Sequence, residues 1–165
     1  MLIGLISDTH DNLPNVEKVV KLLNAAKVDL VLHAGDYTSP FVIPKFKALN
    51  CRLIGVFGNN DGDNAFLSQR FSESGNCEIH GRFGEVNAAD FKIALLHGDE
   101  KSLLNSLVNS DYFDAVVCGH SHASSIQKTK KTIIINPGEI CGYLTGKPTY
   151  AILDTNTREA KIIEF

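Results

Sequence analysis

Seven side chains of types that bind divalent metal ions follow apolar runs along this chain. They comprise two aspartates, four histidines and one asparagine: Asp8, His10, Asp36, Asn59, His97, His120 and His122. Each lies where a run of mostly β-favouring residues ends, and open α/β sheets bind their ligands at such strand ends. The sequence therefore predicts that five strand ends gather these side chains into one metal cluster, with Asp36 at its centre.

The donor atoms of this set are carboxylate and amide oxygens and imidazole nitrogens, without any cysteine sulfur. Such a mixed set suits manganese, iron, zinc or nickel rather than a thiolate site. Seven ligands are too many for one tetrahedral ion. The set therefore fits two ions that share one carboxylate.

Glycines adjoin the proposed ligands at four of the strand ends, at Gly35, Gly58, Gly98 and Gly119. Glycine permits a sharp exit from a strand and a close approach of the backbone to a ligand. Each glycine alone is explained equally well as an ordinary turn residue. Their coincidence with the polar side chains supports the predicted cluster.

The first third of the chain alternates between strands and helices. Strands are predicted at 2–7, 29–33 and 52–57, and helices at 13–27 and 40–49. Thr38 and Ser39 are candidates to cap the second helix. This alternation predicts parallel strands with right-handed crossovers.

After residue 61 the pattern favours antiparallel pairing. We expect helices at 64–71 and 100–109, strands at 77–80 and 83–86 around Gly81, strands at 91–96 and 114–118, and hairpins formed by 124–128 with 132–135 and by 150–154 with 160–163. The predicted fold class is α/β, with two mixed sheets packed as a sandwich and helices outside. One domain over residues 1–165 is expected, with 139–148 as a glycine-rich loop.

The composition limits the classes of partner. The net charge is −3, which does not favour binding to a large nucleic-acid duplex. The four cysteines form no CxxC pair and are expected to be reduced thiols. The first apolar run is too short for a signal peptide, and no run reaches the roughly 18 apolar residues of a membrane span. We therefore expect a cytoplasmic protein without a membrane partner.

Five short blocks in this order resemble those of the calcineurin-like metallophosphoesterases. They are Asp8-Thr9-His10, Gly35-Asp36, Gly58-Asn59-Asn60-Asp61, His97-Gly98 and Gly119-His120-Ser121-His122. The chain length and the Asn136-Pro137-Gly138 segment before a terminal hairpin resemble the small prokaryotic phosphodiesterase branch of that family. The retromer scaffold subunit has the same fold. The resemblance covers essentially the whole chain and implies a β-sandwich of two mixed sheets flanked by helices.

The resemblance also implies roles for the matching residues. Asp8, His10 and His122 would hold a first ion, and Asn59, His97 and His120 a second. Asp36 would bridge the two. Manganese is the expected ion, with nickel, iron and zinc as alternatives, and a homodimer or tetramer is implied.

The implied reaction is hydrolysis of a small phosphodiester. Two ions about 3.5–4 Å apart activate a bridging hydroxide, which attacks phosphorus in line with the leaving alkoxide. Two dications, two aspartates and the hydroxide leave a net charge of roughly +1, which attracts a phosphate oxygen.

The sequence departs from the wider family at two positions. Many members have histidine where this chain has Asn60, and that histidine is a candidate acid for the leaving group. An amide can bind or orient a phosphoryl oxygen but cannot donate a proton as an acid, so Asn60 is a candidate catalytic and substrate-binding residue for good leaving groups. Many relatives also have histidine at the position of Asp99, which is either a carboxylate that supports a ligand or a surface residue.

Other functions remain open at this level. A phosphomonoesterase or nucleotidase would use the same centre. A non-catalytic protein-binding scaffold, as in the retromer subunit, predicts damaged ligand positions, whereas all seven positions here can bind metal. An amidohydrolase barrel also pairs histidines but needs about 250 residues.

Several polar or reactive residues are assigned no chemistry. His33 is expected to be a hydrogen-bonded core histidine, and Asp61 to support the site loop rather than to bind metal. Cys118 and Cys141 are expected to be structural thiols. Phe165, Tyr143 and Leu144 either line an interface or pack internally.

Overall fold

The computed structural model describes residues 1–165, which form eleven strands in two sheets and four α-helices. The strands of the first sheet are β1 (Leu2–Ile6), β2 (Leu30–His33), β3 (Arg52–Gly55), β4 (Cys77–Ile79), β10 (Thr149–Asp154) and β11 (Glu159–Glu164). They lie side by side in the order β11-β10-β1-β2-β3-β4. Strands β1 to β4 are parallel, because helices connect them along one face.

The second sheet contains five strands in the order β5-β6-β7-β9-β8. They are β5 (Phe83–Ala88), β6 (Phe91–Leu96), β7 (Ala115–Val117), β8 (Ser125–Lys128) and β9 (Ile133–Asn136). The central strands β6, β7 and β9 are parallel, and the edge strands β5 and β8 pair antiparallel with them. Both sheets are therefore mixed, as predicted.

The helices are α1 (Leu13–Ala25), α2 (Ile43–Phe46), α3 (Asn64–Ser74) and α4 (Lys101–Asn109). In α1 the valines at 16, 19 and 20 and Leu23 recur at helical spacing and are buried, which is the pattern of a helix packed on a sheet. The Asp63 carboxylate caps α3 by accepting the Phe66 N–H at 2.9 Å. None of the helices is both long and apolar enough to cross a membrane.

The layers follow from three apolar clusters. Side chains of β1, β2 and β3 alternate between the two faces of the first sheet: Leu5 faces the second sheet, whereas Ile6 faces α1 to α3. A smaller cluster joins α4 to the outer face of the second sheet. The protein is therefore a sandwich of two sheets with helices on both outer faces, which confirms the predicted fold class.

The second predicted helix differs in detail. The segment 40–49 is a 3-10 turn (Pro40–Val42) followed by the single turn of α2. Ser39 occupies the N-cap position of the 3-10 turn, but its side chain makes no capping hydrogen bond. The Ser39 hydroxyl donates to the Asp11 carboxylate at 2.7 Å instead, and the Thr38 hydroxyl contacts His10. Both hydroxyls are thus drawn away from the helix towards the loop that follows β1.

The two short strands expected around Gly81 are present as β4 and β5, and they lie in different sheets. Strand β4 pairs with β3 in the first sheet, whereas β5 pairs with β6 in the second. Gly81, with a φ of 66°, therefore lies at the crossing between the sheets and not between two paired strands.

All four cysteines are free, as predicted.

Leu5 gives a test of the core between the sheets, because its side chain is fully buried there. We expect L5A to lower the free energy of unfolding of the metal-free protein by about 2–5 kcal/mol, since the cavity is enclosed by both sheets. Urea titration followed by far-UV circular dichroism measures this change. The control L103A alters a leucine of α4 that is 37% exposed and should cost less than about 0.5 kcal/mol; equal losses would contradict the assigned core.

Candidate metal centre

Parallel pairing aligns the strand ends that carry the seven predicted residues. Ile6 of β1 lies beside His33 of β2, and His33 lies beside Gly55 of β3. The loops that follow are joined by backbone hydrogen bonds, including those from the N–H groups of Asp8 and Thr9 to the loop after β2, both at 3.0 Å. In the second sheet, His97 follows β6 and the segment from His120 to His122 follows β7, its direct neighbour.

Four ionisable side chains form a continuous series of closely spaced donor atoms around Asp36. His97 Nε2 lies 3.3 Å from Asp36 Oδ2, and His10 Nε2 lies 3.4 Å from the same oxygen. Asp8 Oδ1 lies 3.8 Å from His10 Nε2 and 3.4 Å from His122 Nε2. Asp36 therefore stands between a His97 side and a His10–His122 side.

Three of these histidines are held from outside the cluster through Nδ1. His97 Nδ1 lies 2.8 Å from the Ala34 carbonyl oxygen, which can only accept, so Nδ1 carries a proton and Nε2 faces Asp36. His122 Nδ1 lies 2.6 Å from a Glu139 carboxylate oxygen, and His10 Nδ1 lies 3.1 Å from the Thr38 hydroxyl. Outer partners of this kind are typical of histidines that bind metal ions through Nε2.

The inward-facing atoms lack hydrogen-bond partners. Asp8 Oδ1, His10 Nε2 and His97 Nε2 are buried and have none. A buried polar group without a partner costs about 1–3 kcal/mol, and three around one space require an explanation. Divalent cations that accept oxygen and nitrogen ligands fit these atoms. The donor set is therefore suited to metal binding on the evidence of its own geometry.

Asn59 and His120 lie on the exposed side of the cluster. Asn59 Oδ1 and His120 Nδ1 are 2.9 Å apart and hydrogen-bonded to one another. The His97 and His120 rings meet edge to face with their centroids 5.1 Å apart. The structure thus brings all seven predicted residues together, with these two directed at each other.

The backbone at the cluster is unusual. Five of the seven residues have positive φ angles between 39° and 66°: Asp8, His10, Asp36, His120 and His122. Non-glycine residues rarely adopt this left-handed region, and when they do the strain is often found at functional sites. With this backbone conformation the chain turns sharply after each strand, so that the side chains point towards one place.

Asp36 is 1% exposed and remains ionised. Burial opposes ionisation, but the contact with His97 and the Asn60 donors outweighs it, so that the pKa of Asp36 lies below its usual value. The Asn60 backbone N–H donates to Oδ1 at 2.9 Å and its side-chain amide donates to Oδ2 at 2.8 Å. In return, Asp8 and Asp36 raise the pKa of His10, and Asp36 raises that of His97 against the effect of burial.

Asp61 supports the loops, as predicted. Its carboxylate accepts the N–H groups of Asp36, Thr38 and Gly58 at 3.1, 2.8 and 2.7 Å. Burial raises the pKa of Asp61.

His33 is the hydrogen-bonded core histidine that was expected. It is fully buried, and its Nδ1 accepts the Gly35 N–H at 3.1 Å. Burial holds the pKa of His33 well below the usual value.

The structure also decides between the alternatives left open for Asp99, Tyr143 and Leu144. The Asp99 carboxylate pairs with the Arg82 guanidinium at 2.6 Å on the surface rather than with a predicted ligand. Tyr143 and Leu144 are 63% and 73% exposed, so neither packs internally.

Glu139 is the residue of the site that sequence reasoning missed. It is fully buried. Burial raises the pKa of Glu139, but hydrogen bonds from His122, Cys141 and Thr145 lower it by more, so that the pKa is about 2. It follows β9 by three residues, as Asp36 follows β2, so the rule that identified the other strand ends could have found it. The Cys141 thiol donates to Glu139 at 3.0 Å, and burial and Glu139 raise its pKa to about 12.

Comparisons with known proteins agree with this arrangement. Residues 1–158 match the family model of the calcineurin-like phosphoesterase superfamily domain. The chain is 40% identical over 163 residues to phosphodiesterase MJ0936 of Methanocaldococcus jannaschii, covering 99% of this chain and 98% of that protein.

Solved structures share the fold. One, characterised as a novel archaeal phosphodiesterase, superposes with a TM-score of 0.95 at 40% identity and covers 100% of both chains. A Vps29 variant from Entamoeba histolytica superposes with a TM-score of 0.72 at 17% identity, covering 100% of this chain and 99% of that one. The second likeness concerns the fold alone.

Gly58 offers a test of how tightly Asp36 is enclosed. A Cβ at this position would lie against the Asp36 carboxylate and 2.5 Å from the Asp36 backbone nitrogen. We expect G58A to displace Asp36 and to weaken Mn²⁺ binding by about 10–100-fold, the range found when support for a metal ligand is removed. Isothermal titration of chelator-treated protein measures the affinity.

The matched control is Gly62 in the same loop, where an added Cβ meets nothing within 4 Å. G62A should bind Mn²⁺ like the unmodified protein. An equal loss of affinity in both variants would mean that loop flexibility, and not contact with Asp36, requires glycine at position 58.

Proposed function

The chain belongs to the calcineurin-like phosphoesterase superfamily and is a hydrolase of phosphoester bonds, and from that premise we propose that it cleaves small phosphodiesters at a centre of two divalent metal ions. The chain is 40% identical over 163 residues to a protein named as a phosphodiesterase, which supports a diester as the substrate. All seven ligand positions carry metal-binding side chains, which favours a catalytic role over a scaffold role.

One observation carries the proposal. Asp8, His10 and His97 each direct a buried atom without a hydrogen-bond partner towards the space around Asp36. A folded core does not normally tolerate such atoms. Cation binding accounts for all three.

In this proposal the ligands divide into two groups on either side of Asp36. Asp8, His10 and His122 hold the first ion, in keeping with the stacking of the two imidazole rings with centroids 5.1 Å apart. Asn59, His97 and His120 hold the second, and Asp36 lies between the groups. Manganese is the proposed ion, and nickel, iron and zinc suit the same donors.

The bound ions and the protein side chains have separate tasks. When bound, two divalent ions lower the pKa of a water molecule, so that it supplies hydroxide near neutral pH, and stabilise negative charge on the phosphoryl oxygens. Asp36 is kept ionised by its neighbours. Ala34, Thr38 and Glu139 fix the rings of three histidines, so that little reorganisation is needed during the reaction.

Asn60 is exposed and next to the centre, which suits contact with the substrate. One amide proton is donated to Asp36, and the other is available to a phosphoryl oxygen. Because an amide is not an acid at neutral pH, the leaving alkoxide receives no proton from this position. The proposed substrate is therefore a small phosphodiester with a good leaving group.

Metal dependence is tested with an aryl phosphodiester and protein stripped by a chelator. We expect Mn²⁺ to restore turnover, and D36N to remain inactive after reloading, because Asp36 contacts both ligand groups; the loss should exceed the roughly 10–100-fold effect of removing an outer partner. D90N, a change in an exposed turn, should retain full turnover. The matching monoester should react more slowly; faster monoester hydrolysis would indicate a phosphomonoesterase, and inactivity on both esters would favour the scaffold.

A second test addresses protonation of the leaving group. N60H places an acid beside the substrate, and general acids contribute about 10²–10⁴-fold to such reactions. We expect N60H to raise the rate for alkyl diesters relative to aryl diesters by about 10-fold or more. The measurement is the dependence of kcat on the leaving-group pKa across a series of diesters. An unchanged slope would show that position 60 does not serve the leaving group.

A further inference from the structure

Glu139 makes an unusual set of contacts for a residue outside the proposed ligands. Its Oε2 lies 2.6 Å from His122 Nδ1. On the other edge of the same ring, His122 Nε2 lies 3.4 Å from Asp8 Oδ1. The imidazole is therefore held between a buried carboxylate on its outer side and the centre on its inner side.

The loop from Cys141 to Thr145 fixes the carboxylate itself. The N–H groups of Tyr143, Leu144 and Thr145 donate to it at 3.1, 3.1 and 2.6 Å, and the Thr145 hydroxyl donates at 2.7 Å. Together with the Cys141 thiol, these donors fill the lone-pair positions that a carboxylate offers. Glu139 therefore cannot turn away from His122 without giving up several bonds to the loop.

The three inward-facing histidines differ in their outer partners. His97 is held by a backbone carbonyl and His10 by a hydroxyl. His122 alone among them is held by an anion. A carboxylate on Nδ1 fixes the proton there and increases the electron density at Nε2, which strengthens binding of a cation.

We propose that Glu139 is a positioning residue that fixes the ring and the proton of His122 and thereby sets the affinity of the first of the two metal sites. This inference rests on the proposed function and extends it to a residue outside the seven ligands. It predicts an asymmetric effect, because Glu139 touches neither His97, His120 nor Asn59. Loss of its charge weakens one site and spares the other.

The test is the variant E139Q, whose side chain has nearly the same shape. Glutamine has only one oxygen, so its NH₂ group must face either His122 or the donors of Thr145, and one set of bonds is lost. We expect Mn²⁺ titration of the chelator-treated protein to show one site with unmodified affinity and one weakened by about 10–100-fold. A role confined to holding the loop would leave both affinities unchanged or lower both equally, and either result would overturn the proposal.

A readout in the metal-free protein separates this inference from the proposed function. The ¹⁵N chemical shifts of the His122 ring report which nitrogen carries a proton. We expect a proton on Nδ1 in the unmodified protein and a shift towards Nε2–H in E139Q. If the unmodified protein binds no metal, the proposed function fails, while the ring shifts still decide whether Glu139 positions His122.

Two further variants control for a loss of affinity that is caused by misfolding. D114N removes a carboxylate that accepts the Lys92 N–H at 2.8 Å far from the centre, and it should leave both Mn²⁺ affinities unchanged. E139D keeps the charge but is one methylene shorter, and it should weaken the same single site as E139Q. If neither Glu139 variant folds, the ring shifts of the unmodified protein decide: an unprotonated Nδ1 would overturn the proposal.

Discussion

The closeness of two buried carboxylates governs the architecture of this protein. Ligand atoms of Asp8, Asp36 and His97 all lie within 4.8 Å of one another, in a place where the side chains are buried. Like charges at that separation repel strongly when water is excluded. The Asn60 donors, the His120 N–H at 3.2 Å from Asp8 Oδ2, and two imidazoles with raised pKa values are arranged around this negative charge. Each loop at the site thus contributes either part of the charge or part of its compensation.

The same constraint explains the conformation of the backbone. Asp8, Asp36 and His122 lie in the left-handed region, which is unfavourable for residues with a side chain. Hydrogen bonds between loops hold them there, such as the Asp8 N–H to the Gly35 carbonyl and the Gly119 N–H to the His97 carbonyl. Two well-packed sheets supply the rigid ends from which these loops depart. The stability of the sandwich therefore offsets the local strain at the centre.

The sequence was sufficient to predict most of the fold and the positions that converge, because both depend on local patterns. Asp36 and His97 each follow a buried run, and parallel pairing then brings strand ends together. Glu139 follows β9 as Asp36 follows β2, so the strand-end rule could have included it. Its role was missed because that role depends on His122, 17 residues away, which only the folded chain brings next to it. The sequence predicted strands on both sides of Gly81 but not their partners, since strand partners are set by the packing of two sheets. Hydrogen-bonding partners of Thr38 and Ser39 likewise come from the loop after β1.

The loop that carries Glu139 is also joined to the first strand end by backbone hydrogen bonds. The N–H of Ile140 donates to the Ser7 carbonyl at 3.0 Å, and that of Cys141 donates to the Asp8 carbonyl at 3.1 Å. In the order of synthesis on the ribosome, Asp8 emerges early and must wait for these partners. A nascent chain from which only β1 to β3 have emerged contains Asp8 and Asp36 without the residues that fix their surroundings. The complete site therefore cannot assemble before the segment from Ile140 to Thr145 has emerged.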